Sequence, residues 1–336
     1  MSRHIVLPAL AFCFLALASC GRHGETSIEA SFKNLGDAEC YIFSEWMGET
    51  RFDTLRLSGG KFTYTYPLAD TTILTLQYPN FLQLHFIAAP GQSIRIKGDA
   101  THLRATRVTG SRDNELLTEF RFSLFDKSEA EQIQLAEDFI KAHPETVAAQ
   151  AVFEQYFLKA RSLDYTKARH LLRRMQEAAP ERPWLKVLSS RLSPMLDHGP
   201  GKQFPTFEYT TDDSLTLTNH TFSGKPFVVW FWSSWRQEYL APVRESRDML
   251  RSRSGKLLSL NICLDTDTAE FHRVMRRDTL EGYNVCDRLG WDTPLAVSFG
   301  VSRLPVAALV GADGKVIARD LDREALDAEV AKILPI

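Results

Sequence analysis

The thiols are the residues of this chain best placed for covalent chemistry. Cysteine occurs at only five of the 336 positions, too few for a disulfide scaffold, so their placement matters more than their number. Cys40 sits beside Tyr41 in a strand-like segment and reads as a buried small hydrophobe. Cys263 and Cys286 each close a predicted strand, in Asn261-Ile262-Cys263-Leu264-Asp265 and Asn284-Val285-Cys286-Asp287. Histidines such as His198, His220 and His272 are scattered without metal-ligand spacing and read as solvated. No Gly-rich phosphate loop, His-Glu-x-x-His or Gly-x-Ser-x-Gly is present, so neither a metal nor a cofactor is expected. The basic run His272-Arg273…Arg276-Arg277 lies on a predicted helix, where a solvated face is the default. A net charge of -2 with both signs intermixed gives no electrostatic footprint for nucleic acid.

Three segments must position these groups. With 44% hydrophobic and 24% charged residues the chain is globular in composition, and its length favours more than one domain. From Thr26 to Gly110 apolar and polar residues alternate in short runs, as in Phe62–Tyr66, Ile73–Leu76, Leu82–Phe86 and Ile94–Ile96, divided by turn signals such as Pro90-Gly91. That period of two predicts an antiparallel β-sandwich. From Asn114 to Leu196 the period becomes helical, with Leu116, Leu117, Phe120 and Leu124 followed by Ile133, Leu135, Phe139 and Ile140. Pro144 ends one helix, Thr146 is placed to cap the next, and Pro180 and Pro183 precede a helix over Trp184–Leu192. After His198-Gly199-Pro200-Gly201, strand and helix signals alternate. Val228-Val229-Trp230-Phe231-Trp232 is the continuous apolar strand that a sheet covered on both faces requires. The predicted architecture is α+β and multidomain: a sandwich over 20–110, a helical connector over 111–200 and an α/β domain over 201–336.

The N-terminus carries an address. Arg3 and His4 precede an apolar run, Ile5–Leu17, whose thirteen residues are too few to cross about 30 Å of hydrocarbon at about 1.5 Å per residue. The run is a signal sequence over 1–19. Leu17-Ala18-Ser19-Cys20 resembles a bacterial lipobox, which implies lipidation of Cys20; the plainer reading is a secretory signal with an incidental cysteine. A multiply acylated cysteine supplies the second chain that stable anchoring needs. No acidic cluster follows Cys20, and a periplasm-facing outer-membrane lipoprotein is the expected location.

Residues 201–336 resemble the TlpA/ResA branch of the thioredoxin-like proteins, which reduce or exchange disulfides outside the cytoplasm. Gly201-Lys202-Gln203-Phe204-Pro205-Thr206-Phe207 is similar to the family's entry strand, and Gly224-Lys225-Pro226 precedes the central strand. Phe231-Trp232-Ser233-Ser234-Trp235 matches the passage into the active-site helix. Leu304-Pro305 stands at the cis-proline position, and Asp313-Gly314-Lys315 at the next hairpin. In the first domain, Asp53-Thr54…Gly60-Lys61-Phe62, Ala89-Pro90-Gly91-Gln92 and Val108-Thr109-Gly110-Ser111 resemble the DUF4369 β domain found in front of thioredoxin-like domains in Bacteroidetes. That resemblance implies a packing or docking module.

The chemistry departs from the resemblance. The family carries Cys-x-x-Cys at the helix start, where dipole and free amides lower the first thiol's pKa and the second resolves the mixed disulfide. Here those positions read Arg236-Gln237-Glu238-Tyr239; aligning Pro242 with the family's downstream proline gives Ser234-Trp235-Arg236-Gln237 instead. Neither register contains sulfur, so no dithiol mechanism operates there. The family fold would make the strands ending at Cys263 and Cys286 neighbours. Two free buried thiols, a structural disulfide worth roughly 3 kcal/mol of chain entropy, and a displaced redox pair are the three readings of that placement.

The resemblance also implies a groove, lined here by Trp235, Arg236, Tyr239, Leu304 and Pro305, that holds an extended segment by main-chain hydrogen bonds. Arg236 adds positive charge at a helix N-terminus, which suggests an anionic partner or simple exposure. The expected function is a membrane-anchored, redox-inactive module that binds a peptide or an envelope protein. The alternative is a thiol-disulfide oxidoreductase using Cys263 and Cys286.

Overall fold

The computed structural model describes residues 25–44, 51–159, 163–211 and 215–335. The signal segment 1–19 and Cys20 lie outside the described residues. The chain divides into two compact units, Met1–Ala136 with Thr146–Val152, and Glu137–Glu145 with Phe153–Ile336. The predicted helical connector is therefore shared between them.

In the first unit, eight strands form two four-stranded sheets: β1 (Glu25–Lys33), β2 (Ala38–Ser44), β3 (Arg51–Leu57), β4 (Lys61–Pro67), β5 (Thr72–Gln77), β6 (Gln83–Ala88), β7 (Ser93–Asp99) and β8 (Arg107–Thr109). Their orders are β4-β1-β7-β8 and β3-β2-β5-β6. The alternation read from the sequence sends one face of each strand into a common core. Ile28, Phe32, Ile94 and Ile96 of one sheet meet Ile42, Leu74, Leu76 and Phe86 of the other, and Cys40 is buried among them. One pairing corrects the expectation of a purely antiparallel sandwich. β1 and β7 run parallel, Ile28 opposite Ile94 and Ala30 opposite Ile96. Distant strands have no tight turn to impose antiparallel order, so inward-facing side chains alone fix their register.

Helix α1 (Arg112–Ser123) closes an edge of each sheet. The buried Asn114 accepts from the Ile87 amide at 2.8 Å and donates to the Ile87 carbonyl at 2.7 Å, as another strand would. Thr118 Oγ1 does the same for Val108, at 3.1 Å in both directions. Edges covered in this way offer no template for further pairing. Two helices follow, α2 (Glu129–Ala142) and α3 (Val147–Phe153), with Thr146 Oγ1 capping the Ala149 amide at 3.0 Å.

The second unit opens with α4 (Tyr165–Ala178) and α5 (Pro183–Asp197). α5 outruns the span predicted for it and continues through Pro194. The segment matched to an entry strand is not one. Only Gln203 makes a bridge, to Lys315, and the first strands here are the short hairpin β9 (Glu208–Thr210) and β10 (Thr216–Thr218). A five-stranded sheet is then built from β11 (Phe227–Trp232), β12 (Leu258–Cys263), β13 (Tyr283–Cys286), β14 (Val306–Val310) and β15 (Val316–Leu321), in the order β13-β12-β11-β14-β15. β11, β12 and β13 are parallel; β14 and β15 run against their neighbours. The helices are α6 (Gln237–Glu245), α7 (Arg247–Arg251), α8 (Thr268–Arg277), α9 (Pro294–Phe299) and α10 (Arg323–Ile333).

Candidate functional site at the ends of the central strands

All six residues of β11 are buried. Val228, Trp230 and Trp232 face a core built with α6, α8 and α10, while Phe227, Val229 and Phe231 face a second core containing Leu295 and Phe299 of α9. A strand clamped on both faces delivers the next few residues to a fixed place. Those residues are Ser233-Ser234-Trp235-Arg236, at the carboxyl ends of three parallel strands, where open α/β sheets gather their ligands.

The Asp265 carboxylate holds that turn. Its Oδ1 accepts the Ser234 amide at 3.0 Å and its Oδ2 accepts the Ser234 hydroxyl. Asp265 is buried and lies two residues beyond the end of β12, so the bonds tie the ends of neighbouring strands together. Sequence reasoning missed Asp265 as a site residue, because its partner Ser234 lies beyond another strand's end. Ser233 is also buried, and its hydroxyl has no hydrogen-bond partner.

Arg236 caps α6 in extended conformation, with no side-chain bond to the helix amides. Three of the predicted groove residues come together here. The Trp235 and Tyr239 rings meet edge to face at 6.4 Å, and the Arg236 guanidinium lies 5.5 Å from the centre of the Tyr239 ring. Trp235 is 52% exposed, a large apolar area for a residue on this rim. Arg236 is exposed as well, but Glu238 pairs with it at 2.7 Å, so its charge is answered within the first helical turn. Pro242 lies inside α6.

Leu304 and Pro305 reach the same end of the sheet from the other side. The β11–β14 ladder closes with Phe231 opposite Val306, so Trp232 and Pro305 emerge next to each other. The Leu304–Pro305 peptide bond is cis. Both residues are half-buried, and Leu304 packs against the α9-side core.

The two thiols occupy the other flank. Trp232 stands opposite Cys263 in register, and Cys263 opposite Cys286. Both cysteines face the core on the α6 side, Cys263 fully buried and Cys286 half-buried, and both are free. Cys286 Sγ donates to the Asp265 carbonyl at 3.5 Å. Burial pushes the Cys263 thiol far above its ordinary range. A hydrogen bond from Cys263 lowers Cys286 below its own, against the effect of burial and with help from the Arg288 amide. Gly290 lets the loop after β13 close down on this corner: its φ is +59°, and an added Cβ would come within 3.0 Å of the Thr266 methyl.

His198, His220 and His272 do not converge, and among the described residues no three His, Cys, Asp or Glu side chains gather as a metal ion would need. Nor is any described helix long and apolar enough to cross a membrane.

Residues 26–117 match DUF4369, described as a domain of unknown function. No curated protein matches the chain. Among solved structures, a thiol-disulfide oxidoreductase from Bacteroides fragilis NCTC 9343 is 26% identical over 40% of this chain and 100% of that one, with a TM-score of 0.37. A thioredoxin-like protein from Bacteroides caccae ATCC 43185 is 13% identical over 60% of this chain and 78% of that one, with a TM-score of 0.48. Residues 26–117 thus match a DUF4369 domain, helices follow, and the sheet order with its cis-proline gives the C-terminal domain a thioredoxin-like fold.

Proposed function

We propose that this chain is an envelope protein, lipid-anchored through Cys20 and facing the periplasm from the outer membrane, whose thioredoxin-like domain binds an extended peptide or a partner protein without turning over disulfides at the helix start. One observation carries the reading: a helix start without sulfur presents the exposed Trp235 and the Arg236–Tyr239 pair at the sheet end where cis-Pro305 also emerges. An edge-to-face aromatic pair at a fixed strand end is a preorganised apolar contact, which lowers the ordering cost of binding. The Leu304 backbone, beyond the last pairing of β14 with β11, is placed to bond a strand-like ligand. Because Glu238 answers Arg236, the ligand is selected by apolar side chains and main-chain bonds more than by negative charge.

Chemical-shift mapping against a library of extended peptides tests the reading. Shifts should concentrate at Trp235, Arg236, Tyr239 and Leu304, and an insulin-reduction assay should show no turnover. Shifts confined to other surfaces, or sustained insulin reduction, would sink it. Anchoring is tested separately: metabolic labelling with a palmitate analogue should mark the wild-type chain and leave Cys20→Ala unmarked.

A further inference from the structure

The groove makes no use of the thiols on its flank. We infer that Cys263 and Cys286 form a reversible dithiol–disulfide site that accepts oxidation from a small-molecule disulfide, with Cys286 as the attacking sulfur and Cys263 as the resolving one. The inference goes beyond the binding reading and does not depend on it.

Geometry is the first ground. Directly opposed residues on neighbouring strands lie about 4.8 Å apart at Cα, inside the roughly 4.4–6.8 Å that a disulfide spans. Cys263 and Cys286 are such a pair, directly opposed in register with their side chains on one face of the sheet. The second ground is the difference in access. Cys286 is half-buried at the end of the edge strand β13, whereas Cys263 is fully enclosed on β12. An incoming disulfide meets Cys286 first, and Cys263 can react only with a sulfur already joined to Cys286. The third ground is polarity. An anion on Cys286 would accept from the Cys263 thiol and from the Arg288 amide, while Cys263 has burial against it and stays protonated until it is needed. The enclosed position also selects the co-substrate. A half-buried sulfur favours a short linear disulfide over one held within a folded protein.

The step balances. The Cys286 thiolate attacks one sulfur of R–S–S–R, forming a Cys286–S–S–R mixed disulfide and expelling RS⁻. That thiolate leaves and is protonated from water to RSH. The Cys263 sulfur then attacks Cys286 Sγ, closing the Cys263–Cys286 bond and expelling the second RS⁻, which takes the Cys263 proton as it leaves as RSH. Two protein thiols are oxidised and one small disulfide is reduced to two thiols. A bridge held across adjacent strands must keep its own geometry against that of the sheet, and strained disulfides of this kind are the readily reduced ones. Closure would also reach the groove, because Asp265, two residues past Cys263, holds the Ser234 turn.

The test incubates the purified full-length protein in glutathione buffers of graded ratio, followed by alkylation under denaturing conditions and peptide mapping. The expected result is a linked Cys263–Cys286 peptide that grows with the oxidised fraction and disappears when reduced glutathione is restored. Cys40, whose thiol burial pushes up to about 11, should remain alkylatable throughout as an internal reference. In Cys263→Ser, glutathione should accumulate on Cys286 at least tenfold faster than on Cys40. Absence of the linked peptide from the wild-type protein at every ratio would overturn the inference. So would a Cys263→Ser variant in which Cys286 gains glutathione no faster than Cys40.

Discussion

Ser234 gives both its amide and its hydroxyl to one buried carboxylate, that of Asp265, thirty-one residues further along the chain. This pair fixes the turn that presents Trp235. Asp265→Ala would leave a buried amide and hydroxyl unpaired, and we expect a loss of about 2 kcal/mol in chemical denaturation. Asp265→Asn keeps one acceptor and should lose less. Equal losses for the two variants would mean that the carboxylate charge carries the whole effect.

Trp235 projects into solvent from a rigid support, so stability and binding should separate there. Trp235→Ala is expected to leave the unfolding free energy within about 0.5 kcal/mol of wild type. The affinity of a peptide identified by shift mapping should fall by about 2 kcal/mol, roughly thirtyfold, as for an aromatic anchor. Titration calorimetry beside urea unfolding would measure both.

Arg319 holds the second unit together from inside. Its side chain is fully buried, pairs with Asp320 at 2.9 Å, donates to the Met195 and Phe299 carbonyls at 2.8 Å each, and lies 3.9 Å from the centre of the Phe299 ring. The ends of α5 and α9 thus converge on one guanidinium of β15. Arg319→Met should cost about 3 kcal/mol, because the carbonyls and Asp320 lose their partner together. Arg319→Lys should recover little of it, since one ammonium cannot reproduce the planar fork. The urea midpoint of each variant measures the effect.

Asp278 predicts an acid limb. Burial raises its carboxyl, but the guanidiniums of Arg277 at 3.0 Å and Arg244 at 2.5 Å more than offset this and hold it below the usual carboxylate range. A pKa depressed by folding adds stability above the unfolded value, about 3.9, and loses that contribution as pH falls through the lower folded value. We expect Asp278→Asn to be about 1 kcal/mol less stable at pH 7. The gap to wild type should close below about pH 4. A gap that persists at pH 2 would place the effect in packing rather than charge.

The strongest sequence signals were those made within a few residues. The run Phe227–Trp232 announced a strand covered on both faces, and the resemblance set a sulfur-free helix start in the residues after it. Leu304-Pro305 and the cysteines at 263 and 286 were placed through the resemblance; the register sets Cys263 opposite Trp232, Cys286 opposite Cys263, and Pro305 next to Trp232 on the other side. What stayed hidden depends on long-range partners. Nothing local distinguishes Asp265 from a solvated aspartate until Ser234 folds against it. Arg319 lies in a strand whose neighbours Ile317 and Ala318 say nothing of the carbonyl of Met195, 124 residues away, that it satisfies. The parallel β1–β7 pair was invisible for the same reason, since register between distant strands leaves no mark in either one alone. The helix read over Trp184–Leu192 runs further, through Pro194 to Asp197, although a proline inside a helix lacks the amide for one bond.

The position of β1 has a mechanical consequence. Glu25 begins a strand that lies between β4 and β7, antiparallel to one and parallel to the other, with seven residues in register on each side. A pull applied ahead of Glu25 along the strand axis therefore loads both ladders in shear, and many hydrogen bonds must fail together before the sandwich opens. A domain built this way can bear tension at its N-terminal end without surrendering its first strand.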